Sequence, residues 1–170
     1  MRNFTFVLTL GAALALGGCG RGGGAPPAPR PLGAVPIEAR VLYDNGGGIR
    51  DSMQVAIRDA ATLRDIWQRA TSTQSSPPPV PDVDFERQML LLVASGRMRP
   101  EDEIHVDSLG TRREITAAGR EQEVLAVQYT ITEGCGRFPR DAYPLEIVRV
   151  RRYDGEIRFI GKRERASNCR

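Results

Sequence analysis

The sequence predicts an α+β fold, mainly an antiparallel β-sheet of about six to seven strands with one helix packed on it. Apolar and polar residues alternate over several short stretches, as they do in strands with one buried face. A single stretch, residues 60–70, instead repeats its apolar residues at steps of three and four, which is the helical period. Glycine and proline clusters separate these stretches and indicate turns.

The first 19 residues have the pattern of a bacterial lipoprotein signal. Arg2 gives a positive start, and residues 4–16 form an apolar run that is too short for a membrane-spanning helix, which needs about 20 residues. The closing "LGGC" resembles a lipobox, in which the cysteine is acylated with chains such as palmitate after cleavage just before it. We expect residues 1–18 to be a signal peptide and Cys19 a lipid anchor; the alternative is an ordinary signal peptide beside a cysteine.

A tether is predicted at residues 19–36, where "GRGGGAPPAPRPLGAVP" follows the lipidated cysteine. Glycine-rich chain behaves as a random coil, and proline-rich chain is extended. We expect this segment to stay outside the fold and to hold a domain of residues 37–170 away from a bilayer. Gly20 stands where many inner-membrane lipoproteins have aspartate, so the expected location is the cell envelope, with the outer membrane favoured.

The three cysteines fit this location. With Cys19 acylated, Cys135 and Cys169 remain as an even pair in an oxidising compartment, which predicts a disulfide. The bond would fasten the C-terminal segment over the loop "EGCGRFPRDAYP". Two free thiols are the alternative.

The elements follow in order. "IEARVLYDNGGG" starts as a strand and stops at its glycines, and "SMQVAIRDAATLRDIWQRAT" alternates through Met53, Val55 and Ile57 before its period changes. Asp59 is a good N-cap for a helix from Ala60 to about Ala70, whose apolar face places Trp67 against the sheet. Residues 89–94 are apolar without a break, which predicts a central strand covered on both faces. Further strands are predicted near 103–109, 112–117, 122–132, 145–152 and 156–162.

The last two strands are predicted to form a hairpin, because "YDGE" between them is a strong two-residue turn signal. Val148 and Val150 would then share the core face with Ile157 and Phe159. The other face would carry Arg149, Arg151, Arg158 and Lys162. These cations are either solvated or paired with Glu121, Glu123 or Glu146, or they form a shallow anion-binding face for lipid phosphates, a cell-wall polymer or an acidic partner.

No catalytic, metal or cofactor motif is found. The single histidine, His105, alternates with Ile104 and Val106, which predicts a half-exposed strand residue. There is no "GxSxG" elbow and no zinc spacing, and the acids of "PEDEIHVD" and "PDVDFE" are interpreted as solvated loop charges. Since 24 Lys and Arg nearly balance 21 Asp and Glu and export is predicted, nucleic acid is not an expected partner. A hydrolase that uses His105 is an alternative.

Three segments resemble the C-terminal-domain-like family of the protease complex subunit PrcB, found in exported bacterial lipoproteins. They are "IRDAATLRDIW", "PPPVPDVDFERQMLLLVASG" and "GCGRFPRDAYPLEIVRV", within roughly residues 50–160. The residues that carry the likeness are Asp84, Phe85, Gly96, Gly134, Cys135 and Pro144. Here "RPEDEIHVDS" replaces the family's "PTGGY"-like turn.

The resemblance implies a non-catalytic accessory subunit that helps to assemble or stabilise a surface protease. The expected partners are therefore the membrane, through the lipid anchor, and an exported protease or another envelope protein. The alternative is a structural envelope module that contacts anionic lipid or cell-wall polymer through the predicted basic face.

Overall fold

The computed structural model describes residues 30–136, 140–167 and 169. This part of the chain contains eight strands and one helix, which confirms the α+β class. The elements are β1 (Arg30–Val35), β2 (Ile37–Asp44), β3 (Ser52–Ile57), α1 (Ala60–Ala70), β4 (Gln88–Ser95), β5 (Glu103–Ile115), β6 (Glu121–Glu133), β7 (Leu145–Arg151) and β8 (Glu156–Arg165). The predicted signal peptide and Cys19 lie outside the described residues.

The strands form two sheets rather than one. The outer sheet has the strand order β1-β5-β6-β8, and the central sheet has the order β2-β7-β4-β3. All neighbouring pairs are antiparallel except β6 and β8, which are parallel. The two segments predicted as separate strands near 103–109 and 112–117 form the single strand β5.

Two apolar cores give the domain three layers. The inter-sheet core joins one face of the central sheet, including Leu91 and Val148, to Ile104 and Val127 of the outer sheet. The helix core packs α1 against the other face of the central sheet. Strand β4 contributes to both cores and residues 89–94 are 0% exposed, so the prediction of a strand covered on both faces is confirmed.

Helix α1 has the predicted bounds and the predicted N-cap. Oδ1 of Asp59 accepts hydrogen bonds from the backbone N–H groups of Ala61 at 2.9 Å and Thr62 at 2.8 Å. These bonds, that of Thr62 first, lower the pKa of Asp59. Trp67 is buried in the helix core, as predicted, and its Nε1 donates to the carbonyl oxygen of Pro78 at 3.0 Å.

The predicted hairpin of β7 and β8 is wrong. Strand β7 lies between β2 and β4, so neither of its edges is open to β8. The link between them crosses to the outer sheet, where β8 pairs with β6. Arg58 fixes this crossing by donating to the carbonyl oxygens of Tyr153 at 3.2 Å and Gly155 at 3.1 Å. Valines of β7 and apolar residues of β8 therefore meet across the inter-sheet core instead of sharing one face.

Strand β1 lies within the segment predicted to be a tether outside the fold. It pairs with β5 along one edge of the outer sheet, with an irregular register between Pro31 and Gly33. An edge strand tolerates proline, which has no N–H to donate. Val35 packs against the inter-sheet core. The tether boundary predicted at residue 36 is therefore corrected, since the fold includes residues from Arg30 onward.

Candidate functional site

An open groove of about 720 Å³ lies at the end of the central sheet where β7 finishes. We call it the mixed-charge groove, because acids and arginines line it together. Its lining residues are Glu38, Asp84, Glu86, Arg87, Gln88, Arg151, Arg152 and Asp154.

The floor of the mixed-charge groove is built by three neighbouring strands. Gln88 of β4 and Arg151 of β7 are register partners, and the Gln88 amide donates to the carboxylate of Glu38 on β2 at 2.7 Å. Arg151 is exposed. Among the residues that the structure describes, none forms an ion pair with Arg151. Its guanidinium is thus a donor that a ligand can reach.

The wall of the groove is the turn that leads into β4. The carbonyl oxygen of Asp84 accepts from the backbone N–H groups of Arg87 at 3.0 Å and Gln88 at 2.7 Å. Phe85 points into the helix core, and its carbonyl oxygen accepts from the guanidinium of Arg152. The backbone of this turn is therefore fixed by its own hydrogen bonds and by Arg152. The side chain of Arg87, in contrast, is 86% exposed.

The composition of the groove suits a protein segment better than an apolar small molecule. Small-molecule sites are mostly lined by apolar and aromatic side chains and bury their ligand. Charges of both signs in an open depression instead favour recognition by electrostatic complementarity.

The four cations predicted to share one face lie on two. Arg149 and Arg151 of β7 are on the helix side of the central sheet, where Arg149 donates to the carbonyl oxygen of Asp82 at 3.0 Å. Arg158 and Lys162 of β8 are on the outward side of the outer sheet. They are separated because β7 and β8 belong to different sheets, so the single basic hairpin face was a wrong prediction.

The cations of β8 are paired with acids other than those predicted. Arg158 contacts Glu114 at 2.8 Å and also Glu156, and Lys162 contacts Glu164. Hydrogen bonding to Arg158 lowers the pKa of Glu156. This side of the outer sheet is therefore a network of exposed ion pairs rather than a set of available cations.

A buried carboxylate that the sequence analysis had not placed at a site lies between the sheets. Glu146 of β7 is 1% exposed. Its Oε2 accepts from the backbone N–H of Val106 at 2.6 Å, and its Oε1 accepts from the guanidinium of Arg40. Arg40 also donates to the carbonyl oxygen of Val106 at 3.0 Å. Because β1 pairs with β5 only from Leu109 onward, these two side chains satisfy backbone groups at an edge that β1 leaves open.

His105 stands beside this ion pair and is half-exposed, as predicted. Its Nδ1 lies 3.7 Å from Oε1 of Glu146 and its Nε2 lies 3.5 Å from a carboxylate oxygen of Glu103. Its ring stacks on Tyr43 with 5.3 Å between centroids. Burial, then Glu103 and Glu146, raise the pKa of Tyr43. Both oxygens of Glu146 already accept hydrogen bonds. The cluster of Glu146, Arg40 and His105 is therefore best explained as a structural contact between the two sheets, which we call the seal.

The predicted disulfide is confirmed. Cys135 and Cys169 are bonded, with 5.1 Å between their Cα atoms. The segment before Cys169 runs beside the end of β6, where the backbone N–H of Ala166 donates to the carbonyl oxygen of Glu133 at 2.9 Å. The bond therefore fastens the chain after β8 to the loop after β6.

Two acids of "RPEDE", predicted to be solvated, hold this loop instead. Asp102 is 3% exposed and its Oδ1 accepts from the backbone N–H of Gly134 at 2.8 Å. Its Oδ2 accepts from the N–H of Arg99 at 3.1 Å. Glu101 accepts from the N–H of Gly136. Glycine at 134 is required by packing, because a Cβ there would lie 2.4 Å from that of Glu101.

Sequence reasoning did not identify the groove or the ion pair between the buried Glu146 and the exposed Arg40. The signal for the groove is the charge at one end of each strand: "FERQ" runs into the start of β4 and "RVRRYD" runs across the end of β7. The signal for the pair is a glutamate inside the apolar run "PLEIVRV". Within the described ranges, no group of three His, Cys, Asp or Glu residues could hold a metal ion. No helix in that part of the chain is long and apolar enough to cross a membrane.

Comparison with known proteins gives no relative: no family model, no curated protein and no solved structure matches this chain.

Proposed function

We propose that this chain is a membrane-anchored envelope lipoprotein whose domain is a non-catalytic, protein-binding accessory subunit, similar to one that stabilises or assembles a surface protease. The lipobox-like sequence before Cys19 supports the anchor. The bond between Cys135 and Cys169 supports an oxidising compartment, where such pairs persist. The likeness of residues 50–160 to PrcB-like domains supports the accessory role.

The mixed-charge groove is the observation that carries the binding function. Two of its arginines, Arg87 and Arg151, are exposed, and Asp84, one of the residues behind the family likeness, forms its wall. The proposed ligand is a polar segment of an exported protein that carries charges of both signs, since like charges across such an interface would be repelled.

Site-directed photo-crosslinking in the native host tests this proposal. The full chain carries a photo-reactive residue in place of Arg87 in the groove, or in place of Arg64, an exposed arginine on α1. We expect irradiation to join one exported protein, a protease, to position 87 and not to position 64. The same products from both positions, or no product at position 87, would contradict the proposal.

Charge reversal adds a quantitative readout. Arg87→Glu combined with Arg151→Glu should reduce the amount of co-purified partner by tenfold or more, which corresponds to about 1.4 kcal/mol of binding free energy. Arg64→Glu is the matched control and should leave the amount unchanged. Equal recovery from both variants would exclude the groove as the binding site.

A further inference from the structure

The hairpin of β5 and β6 extends beyond the strands beside it. Each of the two strands has 13 residues, but β1 pairs with β5 only as far as Arg113, and β8 pairs with β6 only from Val124. Within the part of the chain that the structure describes, residues 115–120, which we call the hairpin tip, therefore have no neighbouring strand. The turn is closed by the N–H of Thr116 donating to the carbonyl oxygen of Arg120 at 2.9 Å.

The proposed anchor is attached at the same end of the domain. Strand β1 begins at Arg30, the register partner of Arg113, and Arg30 follows Cys19 by eleven residues. Eleven residues span at most about 40 Å even when fully extended. A domain of this size is itself about 36 Å across, from the usual scaling of the radius of gyration. An acylated Cys19 thus keeps this end within about one domain diameter of the bilayer.

The side chains at this end suit a lipid surface. Leu32 and Ile115 are each 44% exposed, and they are two of the four large apolar residues that are exposed in the described part of the chain. Ala117 and Arg120 of the tip are exposed as well. Apolar residues beside arginine favour the boundary between headgroups and acyl chains, where the apolar atoms are buried and the guanidinium meets lipid phosphate.

We propose that the hairpin tip rests on the bilayer that holds the lipid of Cys19, with anionic phospholipid as its ligand. This inference rests on the proposed function, because without the anchor nothing holds this end of the domain near a membrane. It differs from the anion-binding face predicted on β7 and β8, since it uses residues of another hairpin.

A probe at the tip of the full, lipidated protein tests this placement. Ala117→Cys is labelled with a fluorophore after reconstitution into vesicles of phosphatidylethanolamine and phosphatidylglycerol. With Cys19 acylated and the other two cysteines bonded, the introduced thiol is the labelling site. We expect at least threefold weaker quenching by iodide at position 117 than in detergent, and strong quenching by nitroxide-labelled lipid.

Thr73→Cys is the control, because it is exposed at the opposite end of the domain. The adjacent Gln74 donates to Asp44 at 3.0 Å, and Asp44 pairs with Leu145, the first residue of β7. The tip lies beyond the other end of that strand. Iodide should quench a probe at position 73 equally in vesicles and in detergent. Ile115→Asp should restore iodide quenching at position 117.

The outcomes separate this inference from the proposed function. Intact mass first shows whether Cys19 is acylated, and an unmodified cysteine would overturn the anchor and this inference together. If Cys19 is acylated but iodide quenches positions 117 and 73 equally in vesicles, only the inference is overturned. Protection of position 117 in cells but not in vesicles would also overturn it, because a protein would then cover the tip.

Discussion

At the scale of single residues, the most consequential side chain is Glu146. A buried charge costs several kcal/mol in desolvation unless partners offset it, and an unpaired backbone N–H inside a protein is costly as well. Here the carboxylate of Glu146 reduces both costs, because it accepts hydrogen bonds from the N–H of Val106 and from the guanidinium of Arg40. The side chains of Glu146 and Arg40 in this way join β5 to the central sheet at an edge where no strand of the described residues pairs with β5.

Substitution of Glu146 measures the strength of this seal. Glu146→Met leaves the N–H of Val106 without an acceptor and should lower the free energy of unfolding by about 1–3 kcal/mol. Glu146→Gln keeps an acceptor oxygen and should cost less. Urea unfolding gives both values, with Glu86→Met, at an exposed groove residue, as the control. Equal losses of unfolding free energy for Glu146→Met and Glu146→Gln would contradict the role of the side-chain oxygen at position 146 as the acceptor for Val106.

At the scale of elements, the parallel pairing of β6 with β8 shapes the outer sheet. Tyr129 and Gly161 are register partners across this pair. A Cβ at position 161 would lie 2.5 Å from the ring of Tyr129. A side chain at position 161 would therefore force the tyrosine ring away from the backbone of β8.

Substitution of Gly161 tests this pairing. Gly161→Ala should lower the free energy of unfolding by about 1–3 kcal/mol, because overpacking forces the ring to move. The control is Gly33→Ala, since nothing lies within 4 Å of a Cβ at that position of β1. Thermal unfolding of both variants, with and without Tyr129→Ala, forms a double-mutant cycle. If the cost of Gly161→Ala is unchanged when Tyr129 is absent, β8 does not lie beside β6.

The success of the sequence prediction differs between elements for a physical reason. The helix and β4 were predicted correctly because their own residues determine them, through the cap at Asp59 and the unbroken apolar run of residues 89–94. The pairing of β7 with β8 was predicted wrongly, because "YDGE" indicates a turn but does not determine the partner of either strand. The burial patterns differ: residues 145–148 are buried in succession, whereas exposed and half-buried residues alternate over 156–159, the first part of β8. A strand covered on both faces is typical of the interior of a sheet. The unbroken burial of residues 145–148 therefore favours a place between two other strands over a hairpin with β8.

At the scale of the whole molecule, the two cores are joined through the central sheet. Leu91 faces the inter-sheet core and Leu92 faces the helix core, and both are 0% exposed. Strands β4 and β7 thus contribute side chains to both cores. The helix, the central sheet and the outer sheet should accordingly unfold in one cooperative transition.

Leu91→Ala tests this cooperativity. Loss of a buried leucine costs about 2–5 kcal/mol, and the loss should appear equally in far-UV circular dichroism and in the fluorescence of Trp67, which lies in the other core. Val80→Ala, at an exposed position, should change neither signal. A Trp67 transition that stays at its original urea concentration while the circular dichroism transition moves would show that the layers unfold separately.

The position of β8 in the outer sheet also determines when a newly made chain can complete its fold. Strand β6 comes before β7 in the chain, but β8, the strand that covers its second edge, comes only after β7, which belongs to the central sheet. Cys169 follows later still, 34 positions after Cys135. Until then the edge of β6 can pair with a strand of any other chain, and exposed edges of this kind promote aggregation. The edge of β6 is therefore most open to mispairing in the interval before β8 is in place.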